Sequence, residues 1–160
     1  MNLLKTTLLA AALLCVAPLA FAAGSATGNM AVSIEIQNSC SISANALSFG
    51  TPNTLAANID GATTVSVTCT GAGPINIGFG VGAGVGATSA SRKMTGPALI
   101  NYTLYRDPSR TQVLDDTTVR IGGTSTGVAQ SFDVYGRVFA GQNPKPVGTY
   151  SDTVVATVSF

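Results

Sequence analysis

The fold class the sequence predicts is an all-β sandwich, and three observations predict it. Apolar residues recur with a period of two through most of the chain. Glycine and proline, 18 and 7 of them, interrupt those runs at short intervals. After residue 22, no stretch carries the 3.6-residue apolar spacing of a packed helix. About seven or eight strands in one domain are expected, with no internal repeat.

Residues 1–22 stand apart from the fold and are predicted to be an export leader. Lys5 supplies a positive start, "LLAAALLCVAPLA" an apolar stretch, and Ala20-Phe21-Ala22 small residues at the two positions a signal peptidase reads. Cleavage is expected after Ala22. A membrane anchor fits less well, since the run from Thr6 to Phe21 is shorter than the roughly 20 residues a bilayer needs. A lipid-carrying Cys15 fits less well too, because "LLCV" lacks a small residue just before it. Residues 23–160 then form the exported protein. Lys5 departs with the leader, which brings the 8 basic residues level with the 7 acidic ones. A neutral chain whose one adjacent basic pair is Arg92-Lys93 does not recruit nucleic acid.

The first strand expected is "MAVSIEI", in which Met30, Val32, Ile34 and Ile36 alternate with Ala31, Ser33 and Glu35. "SISANALSFG" is a second extended piece, and "TPNTLAANIDGA" reads as loop. "TTVSVTC" puts Val65, Val67 and Cys69 on one face, and "GAGPINIGFG" forms a strand through Ile75, Ile77 and Phe79. "VGAGVGATSASRKMTG" has no packing pattern and is expected to be a mobile loop. It contains no phosphate-binding G-x-x-x-x-G-K-[ST] pattern. "ALINYTLYRD" is the next strand. Short strands follow near Gln112–Leu114 and Thr117–Ile121, and a long one at "AQSFDVYGRVFA". Pro144 and Pro146 break the pattern before "GTYSDTVVATVSF" resumes it, with Val154, Ala156, Val158 and Phe160 on one face.

Of the 3 cysteines, Cys15 leaves with the leader, and Cys40 and Cys69 remain. In an exported chain their simplest fate is a disulfide. Two free buried thiols are the bland alternative; a metal site is weaker, since two thiolates without any histidine do not complete a tetrahedral shell.

The chain has no histidine, hence neither the usual base near neutral pH nor the usual partner of a Ser or Cys nucleophile. Asp115 and Asp116 are adjacent and would point to opposite faces of a strand, which suits a turn better than a two-carboxylate active site. No EF-hand spacing supports calcium at the acidic residues. "NYT" at 101–103 matches a glycosylation pattern but falls inside a strand. Tyr102, Tyr105, Phe132, Tyr135, Phe139 and Tyr150 are explained by alternation as core and flank, without a ligand groove. The expectation is therefore no enzyme, no cofactor and no metal.

Exposed strand edges do suggest chemistry, because an unpaired apolar edge is an aggregation hazard that proteins cover or close. The closing strand pattern runs to Phe160, and the expectation is that another chain supplies its missing neighbour. The segment around Met30, Val32, Ile34 and Ile36 follows a flexible "AGSATG" and suits that task. Burying four such side chains contributes roughly 6 to 12 kcal/mol before ordering costs. A head-to-tail contact of this kind does not close on itself and grows a fibre.

The alternating segment running into Cys40, "LSFG" at 47–50, "VSVTCTG" at 65–71, "NYTLYRD" at 101–107 followed by Arg110, and "GTYSDTVVATVSF" at 148–160 lie in one order over nearly all of the exported chain. In these features the chain resembles the spore coat protein U domain family and, within it, the major pilin subunits of archaic chaperone–usher pili. The resemblance implies an incomplete immunoglobulin-like sandwich lacking its last strand, with residues 23–39 as donor segment and 40–160 as the domain. Residues 37–40 fit either the donor or the first strand. It implies Met30, Val32, Ile34 and Ile36 as donor face, Cys40 and Cys69 as disulfide, and Val154, Ala156, Val158 and Phe160 as groove wall. The Phe160 carboxylate would anchor a basic chaperone group. Implied partners are further copies of the chain, a periplasmic chaperone, an outer-membrane usher and a tip adhesin subunit. Implied location is the periplasm during assembly and the cell surface afterwards, in adhesion and biofilm formation. A spore-coat protein, or a small secreted monomer that binds carbohydrate, are the alternatives.

Overall fold

The computed structural model of the chain describes residues 23–160; the expected leader, residues 1–22, lies outside the described residues. Residues 23–34 belong to a unit of their own and are exposed without secondary structure. The strand expected at Met30–Ile36 is therefore not formed. Alternation gives a segment one apolar face, but an extended chain becomes a strand only where a ladder accepts its main-chain groups.

The second unit, residues 35–160, carries eight strands: β1 (Cys40–Ala44), β2 (Ile59–Cys69), β3 (Ala72–Phe79), β4 (Arg92–Thr95), β5 (Leu99–Tyr105), β6 (Ile121–Thr126), β7 (Gln130–Val138) and β8 (Ala156–Ser159). They form a five-stranded sheet in the order β1-β2-β7-β5-β4 and a three-stranded sheet in the order β6-β3-β8. Every strand pairing is antiparallel, which lets each sheet turn one face to the core and the other to water. Val65 and Val67 of β2, Ile75 and Ile77 of β3, Leu104 of β5 and Val134 and Val138 of β7 are buried between the sheets.

Several elements depart from expectation. β2 begins at Ile59, inside the stretch read as loop, because Ile59–Ala62 pair with Tyr135–Val138 of β7. The expected mobile loop holds β4, whose Arg92 is fully buried. Its guanidinium donates to the carbonyls of Phe79 (3.0 Å), Gly80 (2.9 Å), Ser89 (2.7 Å) and Leu114 (2.8 Å), so main-chain dipoles replace water around the charge. Near Gln112–Leu114 the chain makes one bridge, Val113 to Tyr105, and Thr117–Arg120 form no strand; β6 starts at Ile121. Asp115 organises that turn, accepting from the amides of Thr117, Thr118 and Val119 at 2.6 to 2.9 Å.

The closing pattern is split between the sheets. Ser151 bridges Thr95 of β4, whereas Ala156–Ser159 pair with Asn76–Phe79 of β3. The segment thus crosses from one sheet to the other between residues 151 and 156.

Candidate functional site

β1 lies at one edge of the five-stranded sheet and β8 at one edge of the three-stranded sheet. Between them the sandwich holds a cavity of about 380 Å³ that opens to solvent. Val154 and Ala156 line it, as do Ala44 at the end of β1 and Leu47 and Phe49 just beyond. Val65, Leu104 and Val134 from the five-stranded sheet and Phe79 from β3 contribute apolar surface deeper in.

Leu47 and Phe49 reach the cavity because two glycines leave room for them. Gly61 of β2 and Gly136 of β7 are paired, and a Cβ on Gly136 would come within 2.6 Å of Leu47 Cδ2 and 2.9 Å of Phe49 Cζ. Phe49 also meets Tyr102 edge-on, with ring centroids 6.1 Å apart.

Polar side chains interrupt the apolar lining at Asn45, Thr63 and the Tyr102–Asp152 pair. The Tyr102 hydroxyl donates to Asp152 Oδ2 at 2.7 Å, while Asp152 Oδ1 accepts from the amides of Ala83 (2.7 Å) and Thr153 (2.8 Å). This ties β5 and the glycine-rich segment to the crossing between sheets. Burial, and after it the hydrogen bond the hydroxyl donates to the Asp152 carboxylate, push the Tyr102 hydroxyl well above its ordinary pKa, so it stays a neutral donor.

Of the residues singled out from sequence, Val154 and Ala156 line the cavity. Val158 is half-buried against the core outside the cavity lining, and Phe160 is exposed. Met30, Val32, Ile34 and Ile36 are 84 to 87% exposed, which is unusual for four large apolar side chains so close in sequence. Cys40 and Cys69 are bonded to each other and join the start of β1 to the end of β2, where they are paired residues. Tyr102 and Tyr150 of the aromatic set line the cavity, and Tyr105 is buried outside its lining. Leu47 and Phe49 were legible as part of an extended piece and of the "LSFG" motif but not as cavity residues, and Arg92 only as half of a basic pair. Among the described residues, no three His, Cys, Asp or Glu side chains come together as metal ligands.

Two antiparallel sheets that leave an apolar groove between an edge of each define an open, incomplete all-β sandwich of the immunoglobulin-like kind. The chain belongs to the Spore Coat Protein U domain family, whose model matches residues 26–157. It is 34% identical to Protein U of Myxococcus xanthus over a 180-residue alignment that spans the whole of both chains. Among solved structures it is similar in fold to a chain of the CsuC–CsuE chaperone–tip adhesion subunit pre-assembly complex from archaic chaperone–usher Csu pili of Acinetobacter baumannii. That match has a TM-score of 0.57 and 21% identity, and covers 78% of this chain and 40% of the other.

Proposed function

We propose that this protein is a structural subunit of a surface pilus assembled by donor-strand exchange, not an enzyme. In this reading Met30, Val32, Ile34 and Ile36 of one copy enter the groove between β1 and β8 of the next. The added strand joins the free edge of β8, main-chain bonds set its direction, and its apolar face fills the cavity. The observation that carries the reading is the open 380 Å³ cavity between two sheet edges, in a chain that also displays four exposed apolar side chains at strand period. Such a contact is head-to-tail and grows a fibre.

A periplasmic chaperone that fills the groove before assembly, an outer-membrane usher and a tip adhesin subunit are the further partners. The protein would pass through the periplasm to the cell surface and serve adhesion and biofilm formation. The description of the family favours a second reading, a coat component, in which the same strand exchange would build a layer rather than a pilus.

Size-exclusion profiles of the exported chain and of a truncation beginning at Asn38 test the proposal. Polymers from the first and folded monomers from the second are expected. Folded monomers from both, without bound chaperone, would support a monomeric carbohydrate-binding sandwich instead. Labelling of intact cells then separates a surface fibre from a coat.

A further inference from the structure

We infer that Asn38 is a positioning residue that holds the main chain where the donor segment leaves the folded domain, and so sets the geometry of one subunit on the next. The inference rests on the donor-strand reading above and deepens it.

The hydrogen bonds around Asn38 converge on the turn between β2 and β3. Its Oδ1 accepts from the Gly71 amide at 2.9 Å and from the Thr70 hydroxyl at 3.4 Å. Ser39 adds a reciprocal pair: its carbonyl accepts from the Thr70 amide at 2.8 Å, and its own amide donates to Thr70 Oγ1 at 2.9 Å. The turn is itself anchored, because Ser125 of β6, 2% exposed, donates its hydroxyl to the Gly71 carbonyl at 2.6 Å. The Cys40–Cys69 disulfide follows immediately. A buried serine, a glycine peptide and the Asn38 side chain thus form a continuous line from the three-stranded sheet to the exit of the chain.

Gly71 makes this approach feasible. A Cβ there would lie 3.0 Å from Asn38 Oδ1, closer than side-chain contacts normally allow. Gln37, next toward the donor face, is exposed and outside any strand.

In a polymer, Ile36 would be seated in one copy while Asn38 is seated on the turn of its own domain. Gln37 alone then spans the junction, and two Cα–Cα steps reach no more than about 7 Å. Ser39 is held by its own bonds to Thr70, so the Asn38 contacts convert a two-residue tether into a one-residue hinge. Losing them frees the φ and ψ angles of a second residue at every junction along the fibre.

The test is the persistence length of purified polymers in negative-stain electron micrographs, with the thermal midpoint of the folded domain as control. Asn38→Ala and Gly71→Ala should each shorten it at least twofold, the second by displacing Asn38 from the other side. Asn38→Asp, which keeps an Oδ acceptor, should retain most of the wild-type value. Loss of polymer from folded Asn38→Ala, restored in Asn38→Asp, would equally support the role. Wild-type persistence length in both Asn38→Ala and Gly71→Ala would overturn it. Ile34→Asp is the separate check on the underlying reading: undiminished polymer from that variant rejects donor-strand assembly itself, whatever Asn38 does.

Discussion

Gly61 of β2 and Gly136 of β7 face each other across the five-stranded sheet, and Leu47 covers both. The missing side chains make a notch in the sheet, and the segment after β1 fills it. One wall of the groove is therefore held in place by an absence of atoms in the next two strands of the sheet.

Gly136→Ala should destabilise the fold by about 1 to 3 kcal/mol, the usual cost of forcing an extra carbon into a packed core. Its Cβ would meet both Leu47 and Phe49 within 3 Å, so relaxation moves the groove wall as well. Gly73→Ala in β3 is the control, since nothing lies within 4 Å of its added carbon. Urea midpoints should fall for Gly136→Ala and stay at or above wild type for Gly73→Ala. Equal midpoints would show that Leu47 and Phe49 do not depend on the notch.

Arg92 supplies the second prediction. Its four carbonyl acceptors belong to three separate parts of the chain, among them the end of β3, whose Phe79 lines the groove. Arg92→Lys keeps the charge but replaces the planar fork with one ammonium, and Arg92→Met leaves every carbonyl without its donor. Each variant should lose at least about 2 kcal/mol, within the range for buried polar groups stripped of partners. A wild-type urea midpoint in both would mean that the buried guanidinium only fills space.

These two sites also mark the limits of the sequence. β2, β3 and β7 were legible because each largely buries one face and exposes the other, which writes a period of two into the side chains; β5 was legible from its apolar and aromatic run, although Thr103 and Tyr105 on its second face are buried too. β4 and β6 break that pattern for physical reasons. One inward position of β4 is an arginine solvated by carbonyls, and β6 turns Gly123 inward, where an added Cβ would sit 2.9 Å from Phe132, and Ser125, which is bonded to the turn. No local pattern announces such residues, because their partners lie in other strands. The groove was half legible in the same way: the alternation that places Val154 and Ala156 on one wall is local, whereas the seats of Leu47 and Phe49 depend on glycines distant in sequence. Crossing between sheets at Asp152 shortened the closing strand to four residues, and alternation alone does not reveal a change of partner.

Acid sensitivity follows from three carboxylates. Ser109 and then neighbouring main-chain amides hold Asp107 well below the usual carboxylate range; Thr118 and the amides of its turn do the same for Asp115. The Arg137 fork lowers Asp60, with Arg110 assisting. A carboxylate depressed in the folded state contributes stability above its unfolded value near about 4 and loses it as pH falls toward the lower folded value. The chain has no histidine to titrate between these conditions and neutrality. The melting temperature should therefore be flat from about pH 5 to 8 and drop below about pH 4. A change of several degrees between about pH 5 and 8 would contradict the assignment.

Occupancy of the groove gives the last prediction. Ala156 is half-buried and lines the cavity together with Ala44 and Leu47, while Thr157 points to the other face and is exposed. A phenyl group at position 156 has an existing space to enter, so Ala156→Phe should fold with a thermal midpoint at or above wild type. The same ring removes the room an incoming isoleucine needs, and overpacking a seated donor strand costs several times RT. Polymer yield should fall at least tenfold for Ala156→Phe and hold for Thr157→Phe, measured by sedimentation at equal protein concentration. Undiminished polymer from Ala156→Phe would place the donor strand elsewhere. Loss in both variants would instead implicate the outer face of β8 in contacts between copies.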